Sequence, residues 1–422
     1  MMSISRRAFI YTIAVVPLLF APAIVGALRP ASFWPLYVCA AAVLIYALAS
    51  DSARARRVLV VVASVALTVA ASDLLLRLAP IVPDELAEKW PRMPLVNRYI
   101  PDLNYEGRRF NDLSRMAGVK EWREEKPVRV VTDSAGFRNE RTDPSRPFDV
   151  IILGDSFGGG AVSQEYTWSS ILARDYHLNT YNLSAPASGP WQEYVNLWAE
   201  KERLKTREGT VLVWQLFTGN DLEDEYGPSD LNSLPWSGPL KAWLNNANAW
   251  RGRSPIRYLI ESLMREHDPR EDVIARDFPN GRKMLFYRPY TESSFRTPEQ
   301  VVAHPNFGRL RETIRAVKNL AEARGMRPVV VLVPAKEEVY SWVWKDGPAW
   351  SSAESPSGFS VALARACYEE GLRLLDLKPS LIAESRRSYE ASGQALYWYD
   401  DTHMNAAGNA FTSSVIYREL LR

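Results

Sequence analysis

Four short blocks of this chain carry side chains suited to acyl-group chemistry. Gly154-Asp155-Ser156 closes the apolar run FDVIIL, NLSAPASGP spans 182–190, Thr218-Gly219-Asn220-Asp221 follows TVLVWQLF, and YWYDDTHMNAAGN (397–409) lies near the chain end. A serine hydroxyl is a poor nucleophile at neutral pH unless a base takes its proton, and histidine is the side chain best matched to that task. Ser156 is therefore the candidate nucleophile and His403 the candidate general base. Asp400, three residues before His403, can orient the imidazole and stabilise its protonated form; Asp401 is the rival for that role. Asn220 offers a side-chain N–H and the 182–190 loop a backbone N–H. Together with the Ser156 N–H, these donors suit an oxyanion hole.

No block is specific alone, since Gly-Asp-Ser after a strand is common. The ordered set of Gly-Asp-Ser, Gly-Asn-Asp and Asp-x-x-His is what points to ester chemistry. The other histidines, His177, His267 and His304, have no such company. Asp155 and Asp221 read as stabilisers of their turns. Gly158-Gly159-Gly160 lacks the lysine and the Gly-x-Gly-x-x-Gly spacing of a phosphate cradle and reads as a flexible loop.

Such residues work only if a scaffold brings them together. Apolar runs at 149–153, 178–185, 210–217, 328–334 and 372–377 predict buried strands. Helical spacing at 167–176, 192–205, 305–325, 359–371 and 406–421 alternates with them. Continuous apolar strands alternating with helices indicate an α/β domain, its parallel sheet covered on both faces. Ligands of such sheets sit beyond the carboxyl ends of the strands, where all four blocks fall. The rhythm stops between 222 and 304, a segment rich in Trp, Pro, Asn and Arg, with one helix-like piece at 254–266; it reads as an insertion over one end of the sheet. Trp191, Trp342, Trp344, Trp350 and Trp398 could stack on sugar rings or be core, and Lys336 and Tyr340 could contact substrate or simply build a strand-end loop. No substrate-binding residue is assigned.

The first eighty residues are of another kind. Apolar runs at 8–28, 32–50 and 58–72 predict a membrane anchor of three transmembrane helices over 1–80. Arg6 and Arg7 precede the first run and Arg54, Arg56 and Arg57 separate the second from the third, whereas only Arg29 lies in the other loop. The positive-inside rule then carries everything after about residue 80 out of the cytoplasm. SRRAFI (5–10) also resembles a twin-arginine export signal, in which case the first run would be cleaved. Residues 81–147 read as a membrane-proximal connector with a strand and turn at 128–139, and 148–422 as the catalytic domain. A formal net charge of +2 without a basic stripe argues against nucleic acid as a partner. The two cysteines, Cys39 and Cys367, make neither a disulfide framework nor a cysteine metal site.

The three catalytic blocks resemble those of the SGNH (GDSL-type) esterases and acyltransferases, in that family's order, over roughly 148–221 and 326–422. The resemblance implies a flavodoxin-like, three-layer α/β/α fold and ester chemistry on acylated sugars or lipids, with no metal and no cofactor. Its spacing favours Asp400 over Asp401. Its second block usually has a glycine donating an oxyanion-hole N–H, which here falls at Ala187 or Gly189. Gly189 is favoured because glycine permits close approach or positive φ. PAKEEVY (334–340) resembles a loop of SGNH-like enzymes of exopolysaccharide O-acetylation, although in those enzymes the Asp and His often precede the Ser, whereas here they follow it. The expectation is a serine esterase or O-acyltransferase, anchored in the bacterial inner membrane, working on a surface or secreted glycan on the periplasmic side. Its partners would be the acylated glycan, the lipid bilayer and, for transfer, a membrane protein that supplies the acyl donor. The alternatives are an idle glycan-binding module and a lipase or thioesterase.

Overall fold

The computed structural model describes residues 87–90, 93–109, 112–124, 126–234, 272–343 and 355–422, with Arg57, Val61, Thr68, Ser72 and Gly238 as isolated positions. The chain divides into two compact units, Met1–Glu85 with Leu240–Asp268 and Leu86–Pro239 with Pro269–Arg422. The described residues fall almost wholly in the second. Apart from those isolated positions, the three apolar runs lie outside the described residues, as does the helix expected at 254–266. Among the described residues no helix is long and apolar enough to cross a membrane.

The second unit begins with two antiparallel pairs, β1 (Ala87–Trp90) with β2 (Met93–Tyr99) and β3 (Asn104–Arg109) with β4 (Lys126–Val131). The central sheet follows as β5 (Val150–Leu153), β6 (Thr180–Asn182) and β7 (Thr210–Phe217). A hairpin, β8 (Val273–Asp277) with β9 (Lys283–Tyr287), interrupts it before β10 (Met326–Val333) and β11 (Arg373–Asp376). The sheet order is β6-β5-β7-β10-β11 and all pairs are parallel. In order of appearance within the sheet this is 2-1-3-4-5, the flavodoxin-like order, whose switch point lies between β5 and β7.

The strands read as unbroken apolar runs because both faces are buried. All eight residues of β7 are buried. Alternation divides the side chains between two cores. Ile151, Leu153, Leu212, Trp214, Leu216, Val330 and Leu332 face the helices Pro190–Glu200, Phe307–Ala323 and Gly358–Glu369. Val150, Ile152, Val211, Val213, Val329 and Val331 face Trp168–Tyr176, Lys378–Ser392 and Ala406–Ile416. Lys378–Ser392 shows no clear apolar stripe in the sequence; it buries only Leu381, Ile382 and a few polar positions on one side.

One expected boundary is corrected. Residues 81–147 are not a separate connector, because from Leu86 onward they belong to the same compact unit as the sheet. The reason is apolar and polar together: buried Met93, Val96 and Phe137 join the same core as Ile151, Leu153 and Trp214, and polar contacts add to them. Buried Arg98 pairs with Glu200 at 2.7 Å and Asn196 at 3.2 Å, both on the helix after β6. Buried Arg138 donates to the carbonyls of Gly159, Gly160 and Val162 just beyond β5. A hydropathy reading cannot see contacts of this kind.

Candidate active site

The site is built where β5 and β7 diverge. β5 ends at Leu153, and the chain turns through Gly154 and Asp155 into the single helical turn Ser156–Gly159. A side chain at Gly154 would strike Gln215, whose Oε1 accepts the N–H groups of Asp155 (3.0 Å) and Gly158 (3.2 Å). Asp155 caps the turn by accepting the Phe157 N–H at 2.7 Å, and burial pushes its carboxyl up to about 6. Arg138 secures the far end. The Gly158-Gly159-Gly160 stretch is thus a packed helical turn ending in a bend, not a flexible loop, and φ at Gly160 is +79°.

Ser156 Oγ lies 2.7 Å from His403 Nε2. The opposite ring nitrogen, Nδ1, lies 2.6 Å from Asp401 Oδ1 and 3.2 Å from Thr402 Oγ1. The ring also packs against Phe157, centroids 5.0 Å apart. A carboxylate on Nδ1 fixes the tautomer with hydrogen there, so Nε2 is left as acceptor for the Ser156 hydroxyl.

The acid beside His403 is therefore Asp401, not the expected Asp400. Asp401 Oδ1 accepts the backbone N–H of His403 two residues on, at 3.1 Å, as well as its ring. That is the local geometry of an Asx turn, which a spacing of two supplies and a spacing of three does not. Asp400 is turned away. Its Oδ2 accepts from Ser114 Oγ (2.9 Å) and the Glu124 N–H (2.8 Å), and its Oδ1 lies 3.7 Å from Lys126 Nζ.

The turn bearing His403 is closed by the Tyr397–Met404 bridge and the Trp398 N–H to His403 O bond. Segment 334–340 supports it from the end of β10. Tyr397 Oη donates to Pro334 O (2.9 Å), the Leu396 N–H donates to Tyr340 Oη (2.8 Å), and Lys336 Nζ reaches the carbonyls of Trp398, Tyr399 and Asp401. Both Lys336 and Tyr340 are buried, so neither is placed to touch a substrate. Part of the expected insertion joins in, since the Leu285 N–H of β9 donates to Tyr399 O.

The oxyanion-hole expectations divide. Asn220 sits one strand over from Ser156, in the turn after β7. Buried Asp221 ties that turn down by accepting the Phe217 N–H at 2.7 Å. Asn220 Nδ2 makes one long bond to Asp224 Oδ2, 3.3 Å, leaving its second hydrogen for another acceptor. Burial pushes Asp224 up to about 7 and Asp221 well above the usual carboxylate range. Gly189 does not fit its expected role. Its N–H is already given to Gln192 Oε1 at 2.6 Å, where it caps the helix Pro190–Glu200, and its φ of −94° is open to any residue. Glycine is needed there for space alone, because a Cβ would come 2.5 Å from that of Asp224. The positive φ falls at Ala187, +51°, in the Pro186-Ala187 turn. The Ala187 and Ser156 N–H groups have no partner among the described residues. The Pro186 and Ala187 carbonyls are held by Asn97 Nδ2 from β2.

Asp112 adds a second carboxylate near the histidine, accepting from Thr402 N–H and Oγ1. Asp112, Asp401 and His403 present ligand-type atoms within 4.8 Å of one another, but those atoms are already engaged in the hydrogen bonds just given. Of the tryptophans, Trp191 is buried and Trp342 packs against Phe278, Tyr340 and Tyr389, whereas Trp398 lies under Lys126. Trp344 and Trp350 are outside the described residues.

Residues 290–422 match the family model described as SGNH hydrolase-like domain, acetyltransferase AlgX. The match includes Lys336, Asp401 and His403 and stops short of Ser156 and Asn220. No curated protein sequence matches the chain. Among solved structures, the chain is similar to the psychrotrophic esterase EstA from Pseudoalteromonas sp., inhibited by monoethylphosphonate, at 11% identity and a TM-score of 0.32, over 64% of this chain and 95% of that one. It is also similar to the protein YxiM of Bacillus subtilis, at 11% identity and a TM-score of 0.35, over 71% of this chain and 68% of that one.

Proposed function

The chain carries a domain of the SGNH hydrolase/acyltransferase superfamily, and from that premise we propose that it is a serine esterase or O-acyltransferase, membrane-anchored and extracytoplasmic, that works on acyl esters of a glycan. One observation carries the chemistry: an unbroken hydrogen-bonded relay runs from Ser156 Oγ through both ring nitrogens of His403 to Asp401. A module that only binds glycan has no need of it. In the proposed reaction Ser156 Oγ attacks the ester carbonyl as its proton passes to His403 Nε2, and Asp401 stabilises the imidazolium that forms. Negative charge on the carbonyl oxygen is met by the N–H of Ser156, that of Ala187 and Nδ2 of Asn220. His403 then gives its proton to the departing sugar hydroxyl, and the acyl group remains on Ser156. Water or a second hydroxyl completes hydrolysis or transfer.

The family description supports acetyl as the acyl group and transfer as the outcome. The anchor and the extracytoplasmic side rest on the apolar runs and arginine placement of residues 1–80. If transfer is the reaction, the acyl donor reaches Ser156 from a partner membrane protein, because three helices are too few to pass an activated acyl group across the bilayer. The test uses the full-length protein in detergent. Wild type should hydrolyse p-nitrophenyl acetate and take up one fluorophosphonate per chain, and Ser156→Ala should do neither while keeping its melting transition. Labelling that persists in Ser156→Ala, or a wild type inert to both reagents, overturns the assignment.

A further inference from the structure

Among the described residues Lys336 is one of the largest fully buried side chains. Its ammonium has three hydrogens, and three carbonyls meet it: Trp398 O at 2.9 Å, Tyr399 O at 3.2 Å and Asp401 O at 2.9 Å. Burial lowers its affinity for the proton to about 8, and the carboxylates of Glu337, Asp401, Asp400 and Asp112 act against that shift and favour the ammonium. Three carbonyl dipoles aimed at one point repel one another without a cation between them. Although Tyr399 O also accepts the Leu285 N–H, the Trp398 and Asp401 carbonyls would lose their bond to the ammonium, which is costly for buried groups.

What distinguishes this contact from ordinary packing is where it lands. Lys336 grips the backbone of Asp401, the residue whose side chain holds both the ring and the N–H of His403. The same segment grips the other half of the site. Thr218, two residues before Asn220, donates to Glu338 Oε2 at 2.5 Å and accepts the Ala335 N–H at 2.8 Å. We propose that Lys336 is a positioning residue for the reaction, which sets Asp401, and through it the His403 ring, relative to Ser156 and the Asn220 turn. This rests on the serine-ester reading given above. Lys336 touches no reacting atom; it fixes the distance over which the relay works.

The experiment compares wild type, Ser156→Ala, Lys336→Met and Lys336→Gln, all full-length in detergent. The substrate is p-nitrophenyl acetate, and active sites are counted by fluorophosphonate uptake. Lys336→Met keeps the length and removes every donor. It should lower kcat per titrated site by about 10²-fold, the scale expected when a catalytic group is displaced by about 1 Å, with KM changed less than about twofold. Lys336→Gln, which keeps two N–H donors, should recover part of that loss. A Lys336→Met enzyme with normal kcat per site, even if fewer sites survive, shows a purely structural lysine and overturns the proposal. So does a loss confined to KM, which would mark substrate contact, and so does failure of both variants to show a cooperative melt, which would assign Lys336 to folding. An inactive wild type, or an active Ser156→Ala, instead removes the serine-ester reading and this proposal with it.

Discussion

Asp401→Asn is the sharpest perturbation this geometry offers, because its neighbour Asp400 is an internal control of the same chemical type. Asparagine matches the shape of Asp401, but its amide can donate to His403 Nδ1, now 2.6 Å from Oδ1. The ring then favours hydrogen on Nε2, and that nitrogen, 2.7 Å from Ser156 Oγ, becomes a donor where a base is required. The loss of tautomer and of imidazolium stabilisation should reduce kcat by roughly 10⁴-fold, or about 5.5 kcal/mol in barrier. Asp400→Asn changes no contact of His403. It weakens bonds from Ser114 Oγ and the Glu124 N–H and removes the charge near Lys126. That should cost about 1–3 kcal/mol of stability with kcat per active site altered less than about threefold. Steady-state hydrolysis of p-nitrophenyl acetate, normalised to fluorophosphonate-titrated sites, and thermal melts of both variants supply the comparison. If Asp400→Asn loses more kcat per site than Asp401→Asn, the assignment of the orienting acid from the hydrogen bonds is refuted.

Two further predictions concern the oxyanion side. Ala187 holds φ at +51°, a conformation that costs a non-glycine residue roughly 1–2 kcal/mol. Ala187→Gly should therefore melt at a higher temperature and retain activity, whereas Gly189→Ala, forced against Asp224, should melt lower; the reverse order in calorimetry would contradict the turn geometry. Asp224 has its folded-state pKa raised from 3.8 to about 7, chiefly by burial, so the folded protein holds a proton that the unfolded chain releases. Its contribution to stability is fully present below about pH 4 and is lost as pH rises through about 7. Urea midpoints measured across that window should fall with pH more steeply in wild type than in Asp224→Asn, and an equal slope in both would show that Asp224 is not the group responsible.

Only part of this site is written in local sequence. The sheet was readable because burial on both faces demands unbroken apolar strands: TVLVWQLF is β7 residue for residue, and the ends of β5 and β7 then locate Ser156 and Asn220, whereas His403 lies in a turn beyond the helix Lys378–Ser392 and is recognised by its Asp-Asp-x-His company. Ser156 and Asn220 are recognised by residue type and by their place after a strand, and His403 by residue type and neighbours; each of these is a property of a short segment. The direction in which a side chain points is not. Asp400 and Asp401 are adjacent and chemically identical, and partners almost three hundred residues earlier, Ser114 and Glu124, claim one of them and leave the other to the histidine. Gly189 drew attention as a glycine, yet the positive φ went to Ala187, because Gln192 and Asp224 decide what the backbone does at 189. Residues 86–147 carry too little apolar periodicity to be read as part of a core, yet they join the domain through buried Met93, Val96 and Phe137 and through Asn97, Arg98 and Arg138, polar side chains whose acceptors are backbone and carboxylate oxygens elsewhere in the chain. The sequence by itself therefore determined the sheet and the residue types at its carboxyl edge, since apolar burial is encoded by local pattern. Only the tertiary structure decided which acid hydrogen-bonds His403, which N–H of the 182–190 loop is left without a partner among the described residues and what holds the His403 turn in place, since a hydrogen bond has direction and its partner is chosen by the fold.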